Sequence, residues 1–163
     1  MNKENREKII HYIVENQNKF YRLAYSYTRN KEDSLDIVQN AICKTLEHMN
    51  QIRNVDYIRT WFYRVLVNES ILFLRKNRRE ILTDHDEAQE ILYLEKGFQE
   101  EDDISQQLNQ LPFDVQTIIK LHYFEELKLS EIAEITGLNL NTVKAKMYRG
   151  LKKLKQEIEE ESE

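Results

Sequence analysis

Turn-forming and cross-linking residues are scarce in this chain: three glycines, one proline and one cysteine among 163 residues. Sheet-rich folds need frequent turns, and glycine and proline build most of them, so their scarcity favours long helices with short connections. A lone cysteine, Cys43, excludes an internal disulfide framework and fits a reducing compartment. Flanked by Ile42 and Lys44 on an amphipathic stretch, it reads as a small buried or half-buried thiol. No apolar run approaches the ~20 residues of a membrane span. The N-terminal MNKENREKII lacks the apolar stretch of a signal peptide. The expectation is a cytoplasmic, all-α protein. Signs of catalysis are missing too. His11, His48, His85 and His122 are scattered, and none pairs with a cysteine or carboxylate at metal-ligand spacing. Asp84-His85-Asp86 reads as a solvated acidic cluster, and there is no glycine-rich phosphate loop. No catalytic residue, metal, cofactor or small-molecule substrate is expected.

What is present is charge in blocks. The net charge is −5, which by itself argues against nucleic acid. Its distribution argues the other way. Arg53–Arg79 holds seven basic and two acidic residues, net +5; Glu80–Asp103 holds ten acidic residues and Lys96, net −9. Asn141–Lys155 holds six basic residues and no acid, and Glu157–Glu163 adds five glutamates. Two basic segments on helices outweigh the ordinary reading of charge runs as solvated faces.

Apolar residues recur at helical spacing at Ile9, Ile13, Phe20, Leu23, Ala24 and Tyr27. After a turn at 30–33, Leu35, Val38, Ile42, Leu46 and Met49, in steps of three or four, form one apolar stripe on a second helix. Tyr57–Lys76 carries Ile58, Trp61, Phe62, Val65, Leu66, Leu72 and Phe73, with Trp61 and Phe62 read as core. Two small helical domains are expected, residues 1–79 and 104–163. An acidic linker, 80–103, joins them, with Ile91, Leu92, Tyr93, Leu94 and Phe98 as a segment able to dock on a partner. In the second domain Ile104, Leu108 and Leu111 form a stripe. Pro112 fits the first turn of a helix carrying Val115, Ile118, Ile119 and Tyr123.

From Leu129 the chain reads LSEIAEITGLNLNTVKAKMYRGLKKLKQEI. Ser130 is the expected N-cap of one helix, Gly137 its left-handed stop, and Asn139 the cap of the next. This is helix, short glycine turn, helix. At 100° per residue, Leu140, Val143, Met147, Leu151, Leu154 and Ile158 share one stripe. Thr142, Ala145, Arg149 and Lys152 lie opposite, flanked by Lys146 and Lys153. Small residues let such a helix approach the major groove, and Lys or Arg reach bases or phosphates.

This segment resembles region 4 of sigma factors of the extracytoplasmic-function group. Ile132-Ala133, Gly137 and Thr142-Val143-Lys144 match the family pattern, while Asn141, Ala145-Lys146 and Gly150 depart from it. The first half is similar to region 2: Asp36-Ile37-Val38-Gln39, Trp61-Phe62-Tyr63-Arg64-Val65, Asn68 and the basic run Arg75 to Arg79. The resemblance implies a transcription initiation factor without enzymatic activity. Its implied partners are core RNA polymerase, promoter DNA and a membrane-anchored anti-sigma factor. Asp36 and Gln39 would face the polymerase. The −10 element would be met by Arg59, Asn68, Arg75, Lys76, Arg78 and Arg79, with Asn68 on a flipped base. The −35 element would be met by Asn141, Thr142, Lys144, Ala145, Lys146, Arg149 and Lys152. Two other readings are a stand-alone helix-turn-helix regulator and a sigma-like interaction protein that no longer initiates.

Overall fold

The computed structural model describes residues 1–83 and 103–161. All regular structure among them is helical. The chain divides into two compact units, Met1–Glu100 and Glu101–Glu163. The acidic linker with its apolar docking segment falls largely on 84–102, outside the described residues.

The first unit contains α1 (Lys3–Glu15), α2 (Gln17–Thr28), α3 (Lys31–Glu47) and α4 (Ile58–Thr83). Two single 3₁₀ turns, Met49–Gln51 and Val55–Tyr57, lie between α3 and α4. Asparagines punctuate it. Asn2, Asn30 and Asn54 accept the amides of Asn5, Asp33 and Asp56 at 2.8, 2.9 and 3.0 Å, satisfying donors that a helix start leaves open. Asn16 divides the Ile9–Tyr27 periodicity into α1 and α2. Its side-chain amide donates to the Tyr12 carbonyl at 2.8 Å, the kind of local bond with which asparagine competes against the helix. The core joins Ile9, Ile13, Phe20, Leu23, Ile37, Val38, Phe62 and Leu66. Phe20 and Phe62 stand 4.2 Å apart between ring centroids. α4 continues to Thr83, so the boundary expected at 79 lies inside a helix.

The apolar stripe of α3 is mostly at the surface. Val38 and Met49 are buried, but Leu35 and Leu46 are exposed and Ile42 is half-buried. The packed face is Ser34, Ile37, Val38, Ala41 and Thr45. Small residues win there because they let α2 and α4 approach closely. The hydroxyls of Ser34 and Thr45 are satisfied within the helix, donating to the carbonyls of Asn30 at 2.6 Å and Ala41 at 2.8 Å.

The second unit contains α5 (Asp103–Gln110), α6 (Phe113–Tyr123), α7 (Leu129–Thr136) and α8 (Leu140–Glu161). Leu108, Leu111, Ile119 and Leu154 form a core cluster, with Val115, Met147 and Leu151 packed against it. Pro112 precedes α6 as its N-cap instead of opening its first turn, and Tyr123 is exposed. Gly150 lies where α8 meets α6. A Cβ built there would come within 2.6 Å of Val115 Cγ1 and 2.9 Å of Ile119 Cδ1, closer than carbon atoms pack.

A candidate nucleic-acid interface

Each element of the helix-turn-helix has a local cause. α7 begins one residue earlier than expected. Its N-cap is Lys128, whose amide donates to Glu131 Oε1 at 3.2 Å. Ser130 is therefore inside the helix, and the acid three residues past the cap, not a hydroxyl, satisfies the free donor. Gly137 stops α7 at φ +76 and donates to the Ala133 carbonyl at 2.9 Å, the left-handed position that glycine adopts without steric cost. Asn139 Oδ1 accepts the amide of Asn141 at 2.8 Å and starts α8.

α8 is 22 residues long, about 33 Å at 1.5 Å per residue. Val143 and Leu154 are buried, Met147 and Leu151 packed, and Gly150 buried against α6. The ends of the expected seam, Leu140 and Ile158, are exposed. Asn141, Lys144, Ala145, Arg149 and Lys152 are exposed, so five of the seven expected −35 residues are on open surface, and a sixth, Thr142, is half-buried at its edge. The seventh, Lys146, is tied to α6: its ammonium is hydrogen-bonded to Asp114 Oδ2. Burial pushes the Asp114 carboxyl up. The hydrogen bond and charge of Lys146, with the backbone amides of Val115 and of Asp114 itself, outweigh this and hold it below the ordinary carboxylate value. Tyr148, the most exposed large apolar side chain of this helix at 73%, was not among the expected residues. Its position on the wheel, between Asn141 and Lys144, was the available signal.

In the first unit, Trp61, Val65, Asn68, Leu72 and Arg75 recur every three or four residues along one face of α4. Asn68, Leu72, Arg75 and Lys76 are exposed; Trp61 and Val65 are half-buried. Of the two aromatics read as core, Phe62 is fully buried and Trp61 is not. The indole N–H of Trp61 is buried with no hydrogen-bond partner among the described residues. Glu69, buried beside Asn68, pairs with Lys44 of α3, and the buried Phe62, Tyr63, Leu66 and Val67 set the packed face of α4 that leaves Asn68 outward. Arg59, nine residues before Asn68, lies about half a turn away round the helix and is half-buried. The structure does not bring it onto the Asn68 face. Arg64, one turn before Asn68, is exposed and was missed. Its motif position was the signal for it. Arg78 and Arg79 lie within α4, but their side chains are outside the described residues.

On α3, Asp36 and Gln39 are exposed. Leu35, Gln39, Ile42 and Leu46 follow a spacing of four, three and four residues, so Gln39 sits within the exposed apolar stripe. Beside it, Ile10, Ile13 and Val14 of α1, with Ile42, Leu46 and Met49, line a groove of about 440 Å³. Arg6, Gln17 and Asn50 also line this groove, so apolar and polar groups meet there.

Comparison with known proteins gives the family. The family described as Sigma-70 region 2 matches residues 12–80, and Sigma-70, region 4 matches residues 101–154. The RNA polymerase sigma factor SigV of Bacillus subtilis is 45% identical over 152 residues, covering 91% of this chain and 90% of the relative. The ECF RNA polymerase sigma factor SigW of the same organism is 28% identical, covering 87% and 84%. Among solved structures, the sigma factor RpoE from Bartonella quintana, in complex with the anti-sigma factor NepR, aligns at a TM-score of 0.72. It has 18% identity and covers 97% of this chain and 98% of that one. CnrH, in complex with the cytosolic domain of CnrY, aligns at 0.67 with 17% identity, covering 93% and 87%. The chain belongs to the sigma-70 family and is an RNA polymerase sigma factor of the extracytoplasmic-function type, a promoter-directing initiation factor and not an enzyme.

Proposed function

We propose that this factor holds its promoter with two separate grips, and that the residues on the surfaces described above carry them. The region 4 grip is the exposed face of α8. Asn141, Thr142, Ala145 and Arg149 read the −35 element, Tyr148 packs at its edge, and Lys144 and Lys152 hold phosphates. Lys146 positions α8 through Asp114 and reaches DNA only at the margin of that face. Phosphate neutralisation by these cations gives much of the affinity and makes it salt-dependent.

The region 2 grip is the Trp61–Asn68–Arg75 face of α4. Asn68 captures a flipped base of the −10 element, while Arg64, Arg75, Lys76, Arg78 and Arg79 hold the backbone beside it. Arg59 acts apart from this face, next to the Val55–Tyr57 turn. The stripe Leu35–Gln39–Ile42–Leu46 with Asp36 docks on core RNA polymerase. Residues 1–79 serve as the region 2 domain, 80–103 as the acidic linker and 104–163 as the region 4 domain. The factor works in the cytoplasm, with a membrane-anchored anti-sigma factor as its restraint. The complex of a protein of the same fold with an anti-sigma factor supports an anti-sigma factor as a partner; its membrane anchor is what the family resemblance implies.

The observation that carries this reading is α8, where one face packs and the other is cationic and open. Transcription from a promoter library, with core polymerase alone and with this protein added, tests it. Promoter-specific initiation only with both present is the expected result. Tight sequence-specific duplex binding by the isolated chain, with no dependence on polymerase, would overturn it. Within this assay Asn68→Ala should impair strand opening, seen by permanganate reactivity, more than closed-complex formation. Equal loss of both would remove Asn68 from base capture.

A further inference from the structure

A third basic segment lies outside both grips. Residues 16–31 carry Lys19, Arg22, Arg29 and Lys31 with no Asp or Glu, between Glu15 and Glu32. The same residues hold Phe20, Tyr21, Tyr25 and Tyr27. Most of them form α2 (Gln17–Thr28), which packs inward through Phe20, Leu23, Ala24 and Tyr27, while Arg29 caps it and Lys31 opens α3. Tyr21 and Tyr25, one turn apart, lie outside that packed face. Their rings are stacked, with centroids 6.0 Å apart and planes 29° from parallel. Tyr25 is exposed, Tyr21 half-buried, and Lys19 and Arg22 exposed. Arg29 closes the helix in the left-handed region at φ 55.

We propose that this edge of α2, with Tyr21 and Tyr25 as the stacking surface and Lys19 and Arg22 as the phosphate contacts, is a further binding site for single-stranded DNA, which takes bases of the melted promoter beyond the one held at Asn68. A duplex offers phosphates and base edges but no free base faces, so surface aromatic rings on a cationic helix suit an unstacked strand. The absence of carboxylates along 16–31 removes the repulsion that a chain of net −5 otherwise presents to a polyanion. The two rings already form a step of their own, onto which a base adds by its face whatever its identity. The site deepens the sigma-factor reading and rests on it for the source of the strand.

The test uses the full chain, its Tyr21→Ala/Tyr25→Ala double variant and the Tyr21→Phe/Tyr25→Phe double variant, after thermal melting shows that each is folded. Binding to a fluorescein-labelled twelve-nucleotide oligothymidine and to a duplex of equal length is read by anisotropy at low salt. The alanine pair should lose about tenfold in oligothymidine affinity, and the phenylalanine pair should keep it. Duplex binding should not change. Equal oligothymidine binding by wild type and alanine pair overturns the proposal, as does a phenylalanine pair as weak as the alanine pair, which would put the effect on the hydroxyls.

With core polymerase, a promoter bubble bearing iodouracil in either strand should crosslink to the 21–25 segment. Crosslinking from one strand identifies which is held, and crosslinking from neither overturns the proposal. Failure of the wild-type protein to support initiation would overturn the sigma reading, while the oligothymidine result would still decide whether α2 binds a single strand.

Discussion

Two helices of this protein carry apolar stripes of nearly the same spacing, and the fold uses them in opposite ways. On α8, Val143, Met147, Leu151 and Leu154 pack inward and leave the cations outside. On α3, Leu35, Ile42 and Leu46 remain at or near the surface, and Ser34, Ala41 and Thr45 join Ile37 and Val38 in the packed face. The difference lies in what each helix packs against. α8 packs its large side chains against Leu108, Leu111 and Ile119, and together they fill the core of the second unit. α3 lies among helices already filled by Phe20, Phe62 and Leu66, where close approach requires small residues. An apolar stripe left exposed costs solubility, and it is kept where a partner covers it.

The sharpest test of that contrast compares one residue type in the two stripes. Leu154 is 7% exposed and Leu46 44%. Leu154→Ala should destabilise the second unit by about 2–4 kcal/mol. Leu46→Ala should cost less than about 1 kcal/mol in stability but weaken binding to core polymerase. Denaturant unfolding and a polymerase-binding titration measure the two effects. Equal stability losses would show that the Leu46 stripe is structural after all.

The cationic side of α8 gives the next largest effect. Arg149→Ala should weaken promoter binding by about 1–3 kcal/mol if the guanidinium reads a base. Replacing the −35 base pair it reads should then add little further loss. A loss that is the same for every −35 sequence would make Arg149 a phosphate contact, and no loss at all would remove α8 from recognition.

These two helices also mark what a sequence can disclose. The turn into α8 was legible because Gly137 and Asn139 have conformational and capping preferences of their own, independent of the rest of the fold. The cationic face of α8 was legible because its six basic residues have no acid among them. The cap of α7 was misassigned to Ser130 because Glu131 supplies the bond from the other side of the cap. On α3 the periodicity was real, but periodicity identifies a stripe and not the neighbour that covers it. The acid-free run of residues 16–31, which includes α2, was overlooked because its four cations are interleaved with apolar and aromatic residues, among them the buried Phe20 and Tyr27. Arg59 was grouped with Asn68 through the family resemblance, and only the phase of α4 separates them.

Gly150 refines the packing side of the comparison. Alanine is the better helix former by about 1 kcal/mol. Here its methyl would collide with Val115 and Ile119. The branched Val115 has little rotameric freedom to give way, so overpacking exceeds the propensity gain. Gly150→Ala should destabilise the unit by about 1 kcal/mol net, measured by thermal melting. A stabilised variant would mean that α6 and α8 separate without cost.

The smallest effect concerns the tie between those same helices. Asp114, at the start of α6, holds Lys146 of α8, and its carboxyl titrates below the ordinary value. A carboxylate with a depressed folded-state value stabilises the protein above its unfolded-state value, about 3.9, and loses that contribution as pH falls through the folded value. The melting temperatures of wild type and Asp114→Asn should therefore differ by a small margin at neutral pH and converge as the pH falls through that lowered folded-state value. The pair is partly exposed, so the neutral-pH margin should also shrink in high salt. A margin that persisted at low pH would trace the loss to the altered start of α6 instead of the bond to Lys146. In that case Lys146 would be free to join Arg149 on the DNA.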